Sequence, residues 1–324
     1  MRILIATLLF MIAAVALLAD NGTTDIYFHR TLAFLGFTPT ATIIFGGDIQ
    51  LDRYIRQVSN ERGLDFVFSC IDDTIADADA VVANLEGPIT DDPSVSMGTK
   101  TDTPDNYRFT FPPDSGERLA KHHIGIVDLG NNHTLNYGYG GIGSTIEYLN
   151  EAGVLYFGDP IEYRIASSTI GGVPLAFISY NEFSPDGPNA SGKRALSQVT
   201  QAREDGFVPV VFAHWGEEYA SATPAMLELA HSFVDAGAKL VVGSHPHVIE
   251  KHELYLPAPR ASRQAGRGVP IYYSLGNFIF DQYWDDNVTH GLLLSVTFSR
   301  DGVTDIEETA IRLEKDGRTC PAAS

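Results

Sequence analysis

His245 and His247, separated only by Pro246, are the residues of this sequence most directly suited to holding a metal together. They follow the apolar run Leu240-Val241-Val242, so a buried strand delivers both imidazoles at its carboxyl end. Pro246 removes a backbone donor and stiffens the turn between them. Neutral imidazoles placed by a rigid loop suit a transition metal. Taken alone, Gly243-Ser244-His245-Pro246-His247 fits a solvated turn equally well; its weight comes from other runs that end in the same way.

Five further apolar runs do so. The run from Ala41 ends in Gly46-Gly47-Asp48, and the run from Ala80 ends in Asn84-Leu85-Glu86. Asn84 and Glu86, two apart, point the same way while the chain is extended. The run from Ile124 ends in Gly130-Asn131-Asn132-His133, where neighbouring side chains on a turn face different directions, one toward a metal and the other toward a bound molecule. The run from Val208 ends in His214-Trp215-Gly216-Glu217-Glu218, with Glu217 three residues on to orient His214. The last, from Val269, ends in Leu275-Gly276-Asn277. Each has a bland explanation: Asp48 capping the next helix, a left-handed turn at the paired asparagines, a core histidine beside Trp215. Those explanations would have to coincide. Asp48, Glu86, Asn132, His214, His245 and His247 form a set of oxygens and imidazoles without thiolate, which suits one or two divalent ions of Mn, Fe or Zn. Asn84, Glu217 and Asn277 are candidates for substrate contact.

Positioning these ends requires alternating strands and helices, hence an α/β fold in which ligands gather outside the carboxyl ends of strands. Helices are expected over residues 66–76, 144–150, 193–204 and 224–236. Gly171-Gly172 and Arg300-Asp301-Gly302 read as hairpin turns, so the sheets are mixed rather than all parallel. Residues 90–113, rich in Asp, Thr and Pro, show no period. Irregular chain of that length suits a functional flap, with Tyr107, Arg108 and Phe109 at its tip, or a disordered excursion.

The chain has 324 residues, 44% of them hydrophobic, enough for a large core. Its 22 Lys and Arg against 41 Asp and Glu leave a formal charge of −19, which excludes general binding to nucleic acid or anionic lipid. An anionic substrate needs local positive charge, which a bound cation supplies. The two cysteines, Cys70 and Cys320, read as a buried thiol and part of a frayed tail, with a single bridge as the alternative. After Met1-Arg2, residues 3–19 carry no charge and would span about 25 Å as a helix. That is either a secretory signal or a tilted membrane anchor, and Arg2 keeps the amino end inside, so the body lies outside the cytoplasm or is secreted. The expected layout is a signal or anchor over 1–19, a linker over 20–40, one domain over 41–314 and a patternless tail over 315–324.

Gly47-Asp48, Asn84-Leu85-Glu86-Gly87-Pro88, Asn131-Asn132-His133, His214-Trp215-Gly216-Glu217-Glu218-Tyr219, Gly243-Ser244-His245-Pro246-His247 and Tyr273-Ser274-Leu275-Gly276-Asn277-Phe278 together resemble the CapA family. These capsule or poly-γ-glutamate synthesis proteins lie within the calcineurin-like metallophosphoesterase superfamily. The resemblance implies a four-layer αββα sandwich of two mixed sheets flanked by helices. It implies a membrane-tethered, extracytoplasmic role in making, exporting or anchoring poly-γ-glutamate, with an anionic polymer or phosphoester as substrate and capsule-synthase membrane subunits as partners. By position, Asp48 resembles the superfamily's first aspartate, Asn132 its metal-binding asparagine, His133 the histidine that protonates the leaving group, His214 the isolated histidine ligand, and His245 with His247 the closing pair. Two positions depart. Gln50 stands where the phosphoesterases have histidine, and Asn84 or Glu86 where they have a bridging aspartate, so activity does not follow from the fold. Two roles remain open: a hydrolase or transferase in which water activated by the cation attacks a phosphoryl or acyl centre with His133 as general acid, and a non-catalytic assembly or polymer-binding component.

Overall fold

Runs of β-branched and aromatic residues between glycine- and proline-bearing turns dictate the strands, and amphipathic stretches between them the helices. The structure, a computed structural model, describes residues 38–257 and 268–322. The first half contains β1 (Ala41–Ile49), α1 (Arg53–Arg62), α2 (Asp65–Phe68), α3 (Asp72–Ile75), β2 (Ala80–Leu85), α4 (Ser115–Lys121), β3 (Ile124–Asp128), α5 (Gly138–Ala152) and β4 (Leu155–Phe157). The second contains β5 (Ala166–Ile170), β6 (Val173–Asn181), α6 (Pro188–Glu204), β7 (Val208–His214), α7 (Pro224–Ala236), β8 (Leu240–Ser244), β9 (His252–Tyr255), β10 (Val269–Tyr272), β11 (Asn277–Ile279), β12 (His290–Ser299), β13 (Gly302–Leu313) and β14 (Thr319–Pro321).

These strands make two sheets. One runs β14-β13-β12-β1-β2-β3-β4 with β11 added beside β1, and the other runs β5-β6-β7-β8-β10-β9. Both are mixed: β1 to β4 are parallel while β12 to β14 are antiparallel, and β6, β7, β8 and β10 are parallel while β5 and β9 are antiparallel. Three apolar layers separate four structural ones. Phe45, Phe157, Phe177, Phe212 and Phe298 fill the space between the sheets. Ile55, Phe68, Leu119 and Leu149 pack helices on the outer face of the first sheet, and Val199, Ala230 and Phe233 pack α6 and α7 on the second. The αββα sandwich expected from the motifs is therefore present. Each of the larger side chains among them, fully buried, contributes about 1.5–3 kcal/mol of transfer free energy.

Three expectations need correction. The helix expected over 66–76 is two short helices, α2 and α3, broken at residues 69–71, because the segment must turn to bury Phe68, Ile71 and Ile75 together. The tail over 315–324 is not patternless: β14 pairs antiparallel with β13, with Arg312 opposite Cys320. Cys70 is not a free thiol. It forms a disulfide with Cys320 across a sequence separation of 250, which holds β14 against the α2–α3 corner. The expected signal or anchor over 1–19 lies outside the described residues, as does most of the linker.

Candidate metal centre

Strand register brings the polar ends into two rows. In the first sheet Asp48 pairs with Asn84, and Asn84 with Asp128. In the second, Asn181 pairs with His214, and His214 with Ser244. The layer of phenylalanines between the sheets stops below these rows, so polar side chains face one another across the gap. Gly47 is required for this approach: a Cβ there would lie 1.8 Å from the Gly276 carbonyl oxygen, and the Asp48 N–H donates to that oxygen at 3.3 Å.

Asp48 is fully buried and held from three sides. Asn84 Nδ2 donates to Oδ1 at 2.7 Å, the His245 backbone N–H donates to Oδ2 at 3.1 Å, and His247 Nδ1 lies 3.3 Å from Oδ2. Burial opposes its charge, but the hydrogen bond and electrostatic attraction of the His247 ring, with the Asn84 amide, outweigh it and hold the carboxyl well below its ordinary value. Glu86 shows the opposite balance: burial, then the nearby Asp48 and Glu218 charges, push its carboxyl well up. Its Oε1 has no hydrogen-bond partner and lies 3.7 Å from His247 Nε2 and 3.8 Å from His133 Nε2.

The imidazoles are fixed by their other nitrogens. His247 Nδ1 lies 2.9 Å from Asn277 Oδ1, an acceptor, so Nδ1 carries the proton and Nε2 turns its lone pair toward Glu86. His214 is gripped by Ser244 Oγ at 2.9 Å from Nδ1 and Asn132 Oδ1 at 3.0 Å from Nε2. Its Nδ1 is 3.9 Å from Asp48 Oδ1, and its ring centroid is 4.7 Å from that of His245. His245 is buried, and its Nδ1 has no partner. Burial and the neighbouring His247 lower its ring to about 3, and burial and the neighbouring His245 lower His214 well below its ordinary value; His245 has an unpartnered nitrogen to offer a cation, whereas both His214 nitrogens are engaged by hydrogen bonds. His245 and His247 both have positive φ, 95° and 57°, a strained backbone that the surrounding bonds must hold at about 1–3 kcal/mol each.

Among the described residues, two groups of side chains could hold a cation: Asp48, Glu86 and His247, all buried, and Glu218, His245 and His247. In each group the ligand atoms lie within 4.8 Å of one another. Gln50 is wholly buried with both amide atoms unpartnered. The unpartnered buried atoms Glu86 Oε1 and His245 Nδ1, an oxygen and an imidazole nitrogen, are donors that fit a divalent cation.

Above the centre lies a cavity of about 430 Å³, lined by Glu86, His133, His247 and Glu218 at its floor and by Arg53 and Phe280 at its side. Residues 96–109 form part of its wall, with Phe109 buried against the His133 ring at 4.3 Å. The segment expected as a flap is thus packed onto the site, with Tyr107 exposed at its edge. His133 Nδ1 lies 3.1 Å from Asn136 Oδ1, which also accepts from the Phe109 N–H at 2.7 Å. Nδ1 therefore keeps its proton, and Nε2 is the atom free to take up or release one in the cavity. Burial lowers His133 to about 4, against the Asn136 hydrogen bond.

The three residues expected to contact substrate are placed otherwise. Asn84 and Asn277 are fully buried and position Asp48 and His247. Glu217 is exposed and orients no ligand; Ser244 does that for His214. The sequence reading also passed over Arg53. Its guanidinium pairs with Asp281 and lies between the Phe109 and Phe280 rings at 5.1 and 5.3 Å, and it is the only Lys or Arg among the described residues lining the cavity. A buried arginine paired with one carboxylate far along the chain leaves no local pattern; only its place next to the Asp48 run hints at it.

A family profile described as bacterial capsule synthesis protein PGA_cap matches residues 42–282. The chain belongs to this family. That span covers every motif of the centre, from Asp48 through Asn277. Two Bacillus proteins of the family's kind are similar. "PGA biosynthesis protein CapA" of Bacillus subtilis is 27% identical over 84% of this chain and 71% of its own length. "Capsule biosynthesis protein CapA" of Bacillus anthracis is 29% identical over 75% of this chain and 60% of its own. A "probable polyglutamine synthesis accessory protein" of Mycobacterium tuberculosis is 27% identical over 63% and 56% respectively. The chain thus spans less than two thirds of two of these relatives. The CapA resemblance, with its metallophosphoesterase-like fold, holds for the family as for the sheets described above.

Proposed function

We propose that this chain is a membrane-tethered, extracytoplasmic component of capsule poly-γ-glutamate synthesis, export or anchoring, carrying a metal-dependent hydrolase or transferase site. The observation that carries the site is the buried Asp48, Glu86 and His247 group beneath an open cavity, with Glu86 Oε1 unpartnered. The relatives' names support the process. The Cys70–Cys320 disulfide supports an oxidising compartment. Among the described residues no helix is long and apolar enough to cross a membrane, so tethering rests on the apolar run over residues 3–19.

Asp48, Glu86 and His247, with Asn132, His214 and His245, would hold Mn, Fe or Zn; the oxygen-rich, thiolate-free donor set fits these ions. A cation bound there would supply Lewis-acid chemistry, activating water and offsetting negative charge on the reacting group. Asn84 and Asn277 keep Asp48 and His247 aimed. His133 Nε2 moves the proton in the cavity, and the Arg53 guanidinium, ion-paired with Asp281, is the cationic side chain among the described lining residues that an anionic phosphoester or polymer terminus would meet. Gln50, in place of an imidazole, favours a second reading in which the cation binds a carboxylate-rich chain without turnover.

Metal analysis of the purified chain, followed by hydrolysis of p-nitrophenyl phosphate with and without Mn, tests the proposal. Bound metal with Mn-dependent turnover supports it. Poly-γ-glutamate binding that survives His133→Ala, with no turnover, supports the non-catalytic reading; absence of metal removes both.

A further inference from the structure

Tyr219 stands between two cavities. It lines the one above the centre, and it lines a second, of about 420 Å³, together with Val248, Glu250, Lys251, Asn287 and His290. Val248 follows directly on His247, so the second cavity begins where the histidine turn ends. Tyr219 is fixed at this boundary: its N–H donates to the Pro246 carbonyl at 2.9 Å, its hydroxyl accepts from Gln282 Nε2 at 3.2 Å, and its ring packs edge-on against Trp284 at 6.0 Å. Tyr219 and Trp284 are 47% and 55% exposed, an aromatic ridge beside the first cavity that the fold leaves uncovered.

The two cavities differ in charge. Among the described residues the first is lined by Glu86, Asp102, Glu218 and Asp281 against the Arg53 guanidinium, which Asp281 already pairs. The second carries the Lys251 ammonium and one carboxyl, that of Glu250, which burial raises to about 7. Among the described residues Lys251 makes no salt bridge; its Nζ lies 5.7 Å from the Tyr273 ring centroid. On a chain of formal charge −19 such a cavity is an exception. His290 Nδ1 donates to the Asp286 carbonyl at 2.7 Å, which leaves Nε2 as an acceptor, and the Asn287 amide offers both a donor and an acceptor. An ammonium for a carboxylate, an imidazole acceptor for an N–H and an amide for an amide together complement a chain that repeats these groups.

We infer that the second cavity is a subsite for a carboxylate-bearing polyamide chain, which crosses the Tyr219–Trp284 ridge with its reacting part in the first cavity. The inference rests on the function proposed above and names where a polymeric substrate lies. The acidic first cavity admits only the group for which a cation supplies positive charge, and the units that follow are held by Lys251, Asn287 and His290. Binding energy gathered there, away from the reacting group, positions that group.

Calorimetric titration of a γ-linked glutamate dimer and a decamer into the purified chain, dialysed against Mn, tests it, with circular dichroism to verify the fold of each variant. The decamer, long enough to enter both cavities, is expected to bind about tenfold or more tighter than the dimer. Lys251→Glu is expected to weaken decamer binding by about tenfold, Lys251→Met by less, and Lys193→Glu, the same charge change on exposed α6, not at all. Equal affinity for dimer and decamer overturns the inference, and so does a folded Lys251→Glu chain that binds the decamer as wild type does. Elemental analysis of the same wild-type sample scores the metal reading separately: a Lys251-dependent gain without bound metal upholds the subsite and removes the metal site.

Discussion

The backbone N–H of His245 donates to the Oδ2 of Asp48 at 3.1 Å, across 197 residues of sequence and from one sheet to the other. The bond ties the carboxylate at the end of β1 to the histidine turn after β8. It stabilises the ionised form of Asp48 and holds His245 in its left-handed conformation. The two sheets are therefore coupled through the centre itself, and the ligands sit on rigid strand ends rather than on free loops.

Asp48 joins both halves, so Asp48→Asn should remove most metal affinity, by more than about 100-fold, while the apolar layers keep the fold. Inductively coupled plasma analysis after dialysis, beside a far-ultraviolet spectrum, measures both. A variant that retains stoichiometric metal would contradict the assignment.

The Asn277 side chain reaches the centre through His247, accepting from its Nδ1 at 2.9 Å and donating to its carbonyl oxygen at 3.4 Å. Loss of that acceptor in Asn277→Ala should cost about 10–100-fold in metal affinity, the range for partners that orient a ligand histidine. His133→Ala should leave metal affinity nearly unchanged and lower turnover of a phosphoester by about 10²–10⁴. Equal effects of the two variants on binding would undo the distinction between positioning and proton transfer.

The disulfide closes nearly the whole described chain. Cys70→Ser with Cys320→Ser should lower unfolding free energy by about 2–5 kcal/mol in urea, with dithiothreitol reproducing the loss in the wild-type chain. No change on reduction would show that β14 is held without it.

Glu250 gives a pH dependence. Burial, against the charge of Lys251, raises its carboxyl from an ordinary 4.5 to about 7, and its Oε2 is buried without a partner. Its raised value means the folded chain binds the proton more tightly. That contribution is full below pH 4.5 and is lost as pH rises through about 7. Glu250→Gln should therefore match wild type near pH 4 and exceed its stability by about 1–2 kcal/mol near pH 8, after allowance for partial solvent screening. Equal stability at both pH values would place the carboxylate in water.

The strands were legible because apolar runs punctuated by glycine leave a local signal: β1, β2, β3, β7 and β8 lie where the runs are, and the hairpin glycines Gly171 and Gly172 have positive φ. Their polar ends could be read for the same reason. What escaped depends on tertiary contact. Whether Asn84 faces substrate or grips Asp48 is decided by what the neighbouring strand places opposite it. The Cys70–Cys320 bridge joins positions too remote for spacing to connect.

The most direct test of the centre is anomalous diffraction at the manganese edge from crystals of the chain soaked in Mn. A peak is expected at the carboxyl ends of β1, β2 and β8, with carboxylate oxygens of Asp48 or Glu86 and a nitrogen of His247 about 2.0–2.3 Å away. A map with full-occupancy Mn elsewhere and none within reach of Asp48, Glu86 and His247 would contradict it.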